Sequence, residues 1–209
     1  MTHSRGLTIT REQLRRLLDA PGRARDRVQT YLLVFTAARM SEIQQLRWRD
    51  VDFDRGEITA RGKFGKTNVI PIHDQLYAAL RRWQVEQRRA SEQNPLLAAA
   101  LADPERAYVL LTDAGKKLAH STIAKQLKWR AARIGLLAHA DAGSVGDENT
   151  SRISPHVLRR SFATLALNDD TPLEAIAEML NHSSIDTTRK HYAFSSSEKK
   201  RQTVAAFNV

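Results

Sequence analysis

Between Val51 and Ile72 the apolar residues stop recurring at helical spacing and fall into three short runs: Val51-Asp52-Phe53, Glu57-Ile58-Thr59 and Asn68-Val69-Ile70-Pro71-Ile72. Turn-forming stretches separate them, Arg55-Gly56 first and Gly62-Lys63-Phe64-Gly65 second. Short β-rich runs joined by Gly-containing turns predict a small antiparallel sheet. On both sides of this block the apolar period is that of helices. The fold class that follows is α+β: mainly α with a small antiparallel β-sheet.

Local signals place the helices. Thr10 and Gln13 have capping-box spacing, and Ile9 with Leu14 has the spacing of a hydrophobic staple. Leu14, Leu17 and Leu18 then mark the inner face of a first helix, which Pro21-Gly22 ends. A second helix is expected from about Arg25 to Ala38, with Val28, Leu32 and Phe35 inward, and Ser41 with Gln44 would cap a short third. The helical period returns at Asp74, with Leu76, Leu80 and Trp83 on one face. The stretch Gln93 to Glu105 is part helix and part loop, and Tyr108 to Thr112 reads as extended. Ser121 is the expected cap of a helix carrying Ile123, Leu127 and Ile134, with Gly135 at its end. Ala138 to Ser151 is polar and Gly-containing and reads as a mobile loop. Three helices should follow: Pro155 to Leu167, Pro172 to Leu180 behind a Thr171 cap, and about Ser184 to His191. Trp48, Trp83 and Trp129 are expected in the core or half-buried.

Charge narrows the function. Lys and Arg number 33 against 23 Asp and Glu, a net charge of +10 over 209 residues. Such an excess favours a polyanionic partner, most often nucleic acid. There is no cysteine, which removes disulfides, thiolate nucleophiles and cysteine zinc sites and fits a reducing cytoplasm. Met1 to Ile9 has no apolar run of a signal peptide, and no stretch approaches the roughly 20 apolar residues of a membrane span. A zinc site from His156, His182 and His191 lacks a completing carboxylate at a recognisable spacing, so no metal or other cofactor is expected.

His156 and Arg159 stand three residues apart in the first turns of an expected helix and therefore share a face. A helix N-terminus with a His and an Arg aimed at one point makes a phosphate clamp. Alone, such a pair is more simply a solvated basic face. Three further segments change that weighing: Thr36-Ala-Ala-Arg39-Met-Ser-Glu42, with its Arg at a helix break; Arg61-Gly-Lys63-Phe-Gly-Lys66, at the tip of the hairpin; and Leu180-Asn-His182 followed, ten residues after the His, by Tyr192.

In these residues the sequence resembles the tyrosine recombinase, or phage integrase, family. That family carries an Arg at a helix break with a nearby acid, a Lys on a β-hairpin, His-x-x-Arg, a Leu-Gly-His box and a nucleophilic Tyr shortly after it. The matching positions are Arg39 with Glu42, Lys63, His156 with Arg159, His182 and Tyr192, in the family's order. Two positions depart: Asn181 stands where Gly is usual, and Arg160 where His is frequent. Asn adopts the left-handed backbone more readily than most residues, so the first change is mild.

The resemblance implies the tyrosine recombinase catalytic-domain fold, that of DNA breaking-rejoining enzymes, over residues 1–195. A tail over 196–209 would dock on a neighbouring subunit, with packing on its own domain as the alternative, and truncation at Ser197 that left cooperative assembly on DNA unchanged would remove the docking idea. The implied activity is site-specific DNA recombination without metal or ATP, by a source such as a phage or other mobile element. Tyr192 would attack a phosphodiester to give a 3′-phosphotyrosyl intermediate, and exchange would pass through a Holliday junction.

The residue types suit that chemistry. Charge grows on the non-bridging oxygens in the transition state, where fixed cations act best. Arg39 and Arg159 would grip them bidentately, a geometry lysine cannot copy. A phenol with a pKa of about 10 must lose its proton as it attacks. By resemblance His156 helps take that proton, His182 hydrogen-bonds the phosphate and Lys63 protonates the leaving 5′-oxygen. Lys66 is the alternative at the same hairpin tip, and Glu42 is a structural partner of an arginine rather than an acid catalyst.

Partners follow in the same way: double-stranded DNA, a tetramer on paired sites built from free monomers, and accessory DNA-bending or directionality proteins, with action in the cytoplasm. The helix from Ser121 to Gly135 is expected to display Lys125, Lys128, Arg130 and Arg133 and, by resemblance, to enter the major groove, so Lys125 and Lys128 are candidate DNA contacts together with Lys66 and Arg160; a solvated basic face is the alternative. Family members usually carry an N-terminal helical domain, so the chain reads either as an excised catalytic fragment or as one of the short DNA-inverting recombinases. Two rival functions remain. A type IB topoisomerase would relax DNA without paired sites, and a non-catalytic DNA-binding regulator would never capture DNA covalently.

Overall fold

The computed structural model describes residues 7–62, 65–136 and 153–181. Lys63, His182 and Tyr192, the loop expected over 138–151, the helix expected over 184–191 and the 196–209 tail lie outside the described residues.

The described chain is helical around one three-stranded sheet, as the change of period predicts. Helices α1 (Arg11–Asp19), α2 (Ala24–Phe35) and α3 (Met40–Gln45) lead through a 3₁₀ turn at Trp48–Asp50 into β1 (Val51–Asp52), β2 (Glu57–Arg61) and β3 (Thr67–Pro71). Then come α4 (Asp74–Glu92), α5 (Pro95–Leu101), α6 (His120–Arg133), α7 (Pro155–Asn168) and α8 (Leu173–Met179). The strands pair antiparallel in sequence order, with Val51 opposite Ile58 and Ile58 opposite Ile70. Ile58 and Ile70 are fully buried while their neighbours along each strand are more open, the period-2 alternation of a sheet with one face on the core. Helix α2 lies at the centre and packs on α1, α4, α6 and α7, which is why Val28, Leu32, Leu33 and Val34 are all buried.

Local chemistry sets most of the boundaries. The α1 capping box forms in full: Thr10 Oγ1 accepts from Gln13 N–H at 3.2 Å, and Gln13 Oε1 accepts from Thr10 N–H at 2.8 Å. The uncertain stretch after Gln93 resolves into α5, started by Asn94 capping Leu96 and Leu97 ahead of Pro95 at the first helical position. Tyr108 to Thr112 is extended but joins no sheet, bridging only Arg47 to Tyr108 and Leu111 to Lys117. Trp48 and Trp83 are half-buried as expected, their indole N–H groups donating to Gln87 Oε1 and to Val109 O.

Several expectations are corrected. Helix α2 ends at Phe35 rather than Ala38. Arg39, not Ser41, occupies the cap position of α3, and Glu42, not Gln44, closes it. Helix α6 starts at His120 behind Ala119, with no side-chain cap from Ser121, and α8 starts at Leu173 with Pro172 in the cap position. Trp129, placed in the core or half-buried on composition, is 68% exposed.

Arg130 is a further correction, because it is buried rather than displayed with the other cations of α6. Its guanidinium donates to the carbonyls of Leu17 and Leu18 at 3.1 and 3.3 Å and to Pro21 O at 3.5 Å, closing the otherwise unpaired C-terminal end of α1. Burial holds its pKa below the ordinary value, against the attraction of Asp26. A methyl group on Gly22 would stand 2.6 Å from Arg130 Nη1, so the glycine leaves the room this clasp needs. Arg130→Met keeps the stem and removes the donors, and should lower unfolding free energy by about 2–3 kcal/mol, since buried acceptors lose charge-assisted bonds. Urea denaturation checks this; an unchanged midpoint would mean that solvent satisfies those carbonyls.

Candidate active site at the end of α8

The break between α2 and α3 is built by one side chain. Thr36 Oγ1 donates to Leu32 O at 2.7 Å and accepts from Ala38 N–H at 3.1 Å, which satisfies the last turn of α2 and diverts the chain. Ala37 follows in the left-handed conformation at φ 48° and is fully buried. That conformation costs a non-glycine residue about 1–2 kcal/mol. The outcome is that Ala37 turns its carbonyl toward α7 and Arg39 begins α3 beside the site.

Arg159, on the second turn of α7, is buried. It donates through Nη1 to Ala37 O at 2.6 Å and through Nη2 to Leu180 O. Arg39 reaches the same backbone, donating through Nη2 to Asn181 O at 3.1 Å. Its Nη1 donates to Glu42 Oε1 at 3.1 Å, while Glu42 Oε2 accepts from Arg39 N–H at 2.7 Å. Glu42 is 3% exposed and holds both ends of Arg39, so it acts as the partner of an arginine. Asn68 Nδ2 of β3 donates to the preceding carbonyl, Met179 O, at 3.1 Å. Three consecutive carbonyls at the C-terminal end of α8 are thereby taken up by side chains from β3, α7 and the α3 cap. The negative end of a helix dipole favours the two cations there.

Asn181 itself is left-handed at φ 46°, the conformation that its replacement of the usual glycine requires. The β2–β3 hairpin closes on this cluster. Gly62 N–H donates to Lys66 O at 2.8 Å, and a methyl group on Gly62 would stand 3.2 Å from Glu42 Oε1 and 3.9 Å from Asn181 Nδ2. The start of the hairpin turn therefore lies against the arginine site. Lys66 is exposed on that turn.

His156 is the second residue of α7, exposed one turn before Arg159, and Ser154 caps the helix by accepting from Val157 N–H at 3.3 Å. Arg160 is half-buried, Lys125 is exposed on α6 and Lys128 beside it is half-buried. Among the described residues, then, the structure brings Arg39 and Arg159 together with Glu42, sets His156 at the mouth of α7 and the hairpin alongside, and leaves Lys125 and Lys128 on a separate helix. Each guanidinium is a planar fork of five N–H donors. Two cations so fixed, with one carboxylate committed to Arg39, can hold the non-bridging oxygens of a tetrahedral oxyanion such as a phosphate. The acceptor carbonyls and Asn68 carry no sequence signal of this role.

The chain matches the family model described as phage integrase family over residues 8–199. It is 32% identical over 171 residues to tyrosine recombinase XerC of Xanthomonas campestris pv. campestris (strain B100), covering 82% of this chain and 45% of that protein. The chain thus spans about half the length of that relative. A crystal structure of XerA recombinase superposes with a TM-score of 0.72 at 21% identity, over 97% of this chain and 66% of that one. XerH site-specific recombinase, bound to palindromic difH substrate in a post-cleavage complex, gives 0.71 at 22% identity, over 94% and 52%. Matched along nearly its whole length, with the same fold, the chain belongs to the phage integrase family of tyrosine recombinases.

Proposed function

We propose that this chain is the catalytic part of a site-specific DNA recombinase that cuts and rejoins duplex DNA through Tyr192. The observation that carries the proposal is the convergence of Arg39 and Arg159 on the adjacent carbonyls of Leu180 and Asn181. It fixes two guanidiniums at one point, immediately before His182 in the chain. A phosphodiester seated there has its non-bridging oxygens against both cations, where charge develops in the transition state. The Tyr192 oxygen attacks phosphorus and its proton passes to His156. The phosphorus–5′-oxygen bond breaks, and the leaving oxygen takes a proton from Lys63, while His182 donates to a phosphate oxygen.

The product is a 3′-phosphotyrosyl ester and a free 5′-hydroxyl. The 5′-hydroxyl of a partner strand reverses the reaction, so the ester bond is conserved and neither ATP nor a metal is consumed. Two such exchanges, in a tetramer on paired sites, pass through a Holliday junction. Lys66, Lys125, Lys128 and Arg160 supply neutralising contacts to the DNA. That XerH is seen with its DNA substrate after cleavage supports the same partner here.

The test is a nicked suicide duplex drawn from a randomised-site library, incubated with the chain and run on a denaturing gel. A slow-migrating adduct that protease removes is the expected outcome. A chain that binds the duplexes yet never yields an adduct would overturn the proposal. Relaxation of supercoiled DNA without paired sites would instead favour a topoisomerase.

A further inference from the structure

Trp129 is 68% exposed, although both other tryptophans are half-buried and hydrogen-bonded. Helix α6 turns Ile123, Leu127, Arg130 and Ala131 inward. On the opposite side Ser121, Lys125, Trp129 and Arg133 are all exposed. Successive members stand four residues apart, so they form one continuous ridge about 18 Å long at 1.5 Å per residue. The ridge places an indole between two cations, each one turn away.

An apolar protein surface covering this ridge would strand Lys125 and Arg133 without counter-charges, at a desolvation cost. A polyanion neutralises both and leaves the indole facing whatever lies between its charged strands. The major groove of B-DNA is about 12 Å wide and admits a helix, and its phosphates flank it on both sides. The apolar feature on its floor is the C5-methyl of thymine. An indole has a flat apolar face and a donor but no acceptor, so it suits a methyl group with a neighbouring carbonyl or ring nitrogen acceptor.

We propose that Trp129 packs on the C5-methyl group of a thymine in the major groove of the target site and so helps to choose that site, with Lys125 and Arg133 seated on the flanking phosphates. The proposal rests on the DNA-recombinase reading above and adds to it a residue that selects sequence.

The experiment first selects duplexes that the 209-residue chain binds from a random library. Each thymine of the selected site is then replaced in turn by deoxyuridine, which removes only the methyl group. Binding is compared for the unaltered chain, Trp129→Ala and Trp129→Gln, after circular dichroism and melting show all three equally folded, as an exposed position allows. The unaltered chain should lose about fourfold in affinity at one position, the worth of one buried methyl group. Both variants should bind more weakly and be indifferent to deoxyuridine at that position. Equal responses of variants and unaltered chain at every position, with binding retained, overturn the role of Trp129 and leave the recombinase reading intact. No duplex selected by the unaltered chain overturns both.

Discussion

Tyr192→Phe should form no covalent adduct with a nicked duplex that the unaltered chain captures, while still binding that duplex. The change removes one oxygen and nothing else, so under the proposed chemistry it deletes the nucleophile and leaves the phosphate clamp. Losses on deleting a nucleophile are very large, roughly 10⁴-fold or more, which on a gel is absence. The other three tyrosines of the chain are engaged elsewhere. Tyr31 packs on Phe35 with ring centres 5.7 Å apart, Tyr77 meets Phe53 edge-on at 5.3 Å, and Tyr108 lies beneath Arg47 and Lys117 at 5.1 and 5.5 Å. All three are half-buried. An adduct of undiminished yield from the phenylalanine variant would refute Tyr192 as the nucleophile.

Arg159→Ala should cost both activity and fold. Its guanidinium is buried and bonds the carbonyls of Ala37 and Leu180. Without it two buried acceptors lose charge-assisted bonds, a loss of about 2–4 kcal/mol, and the left-handed turn at Ala37 loses the contact that anchors it. Cleavage measured well below the melting temperature should fall by a further factor of about 10²–10³, the worth of one donor aimed at developing charge. Arg39 makes the contrast. Its side chain is 46% exposed but that of its partner Glu42 only 3%, so Arg39→Ala should lose cleavage to a similar degree and cost about 1–3 kcal/mol of stability, that of one buried acceptor left short of a partner. Melting curves and adduct yields on the three proteins check the pair. If Arg159→Ala melts with the unaltered chain, the buried clasp carries no weight in the fold.

The sequence disclosed the parts of this molecule whose causes are local. The Thr10–Gln13 box and the turn that brings β2 back to β3 each lie within a few residues of their effect, whereas the Asn94-Pro95 start of α5 went unread. Where a strong local signal was available to the wrong residue, the boundary slipped: Ser41 and Ser121 look like better caps than Arg39 and Ala119, but tertiary contacts of Arg39 and the packing of α6 decided otherwise. Arg130 reads as part of a displayed basic face because its charge conceals its period, although it falls three and seven residues after Leu127 and Ile123, on the inward row. Trp129 misleads in the opposite sense, since tryptophan is usually at least half-buried and here is 68% exposed.

The site divides along the same line. Arg39, His156 and Arg159 carry distinctive side chains at distinctive spacings, and a motif could point to them. The groups that fix the arginines could not be found so. They are backbone carbonyls, which every residue has, reached across 122 and 142 positions of chain.

The end of α8 thereby acts as a hinge pin common to both halves of the clamp. Arg39 and Arg159 grip neighbouring links of one backbone, and that backbone continues directly into His182. In the recombinase proposed above, both cations of the phosphate grip would therefore take their position from two adjacent peptide units.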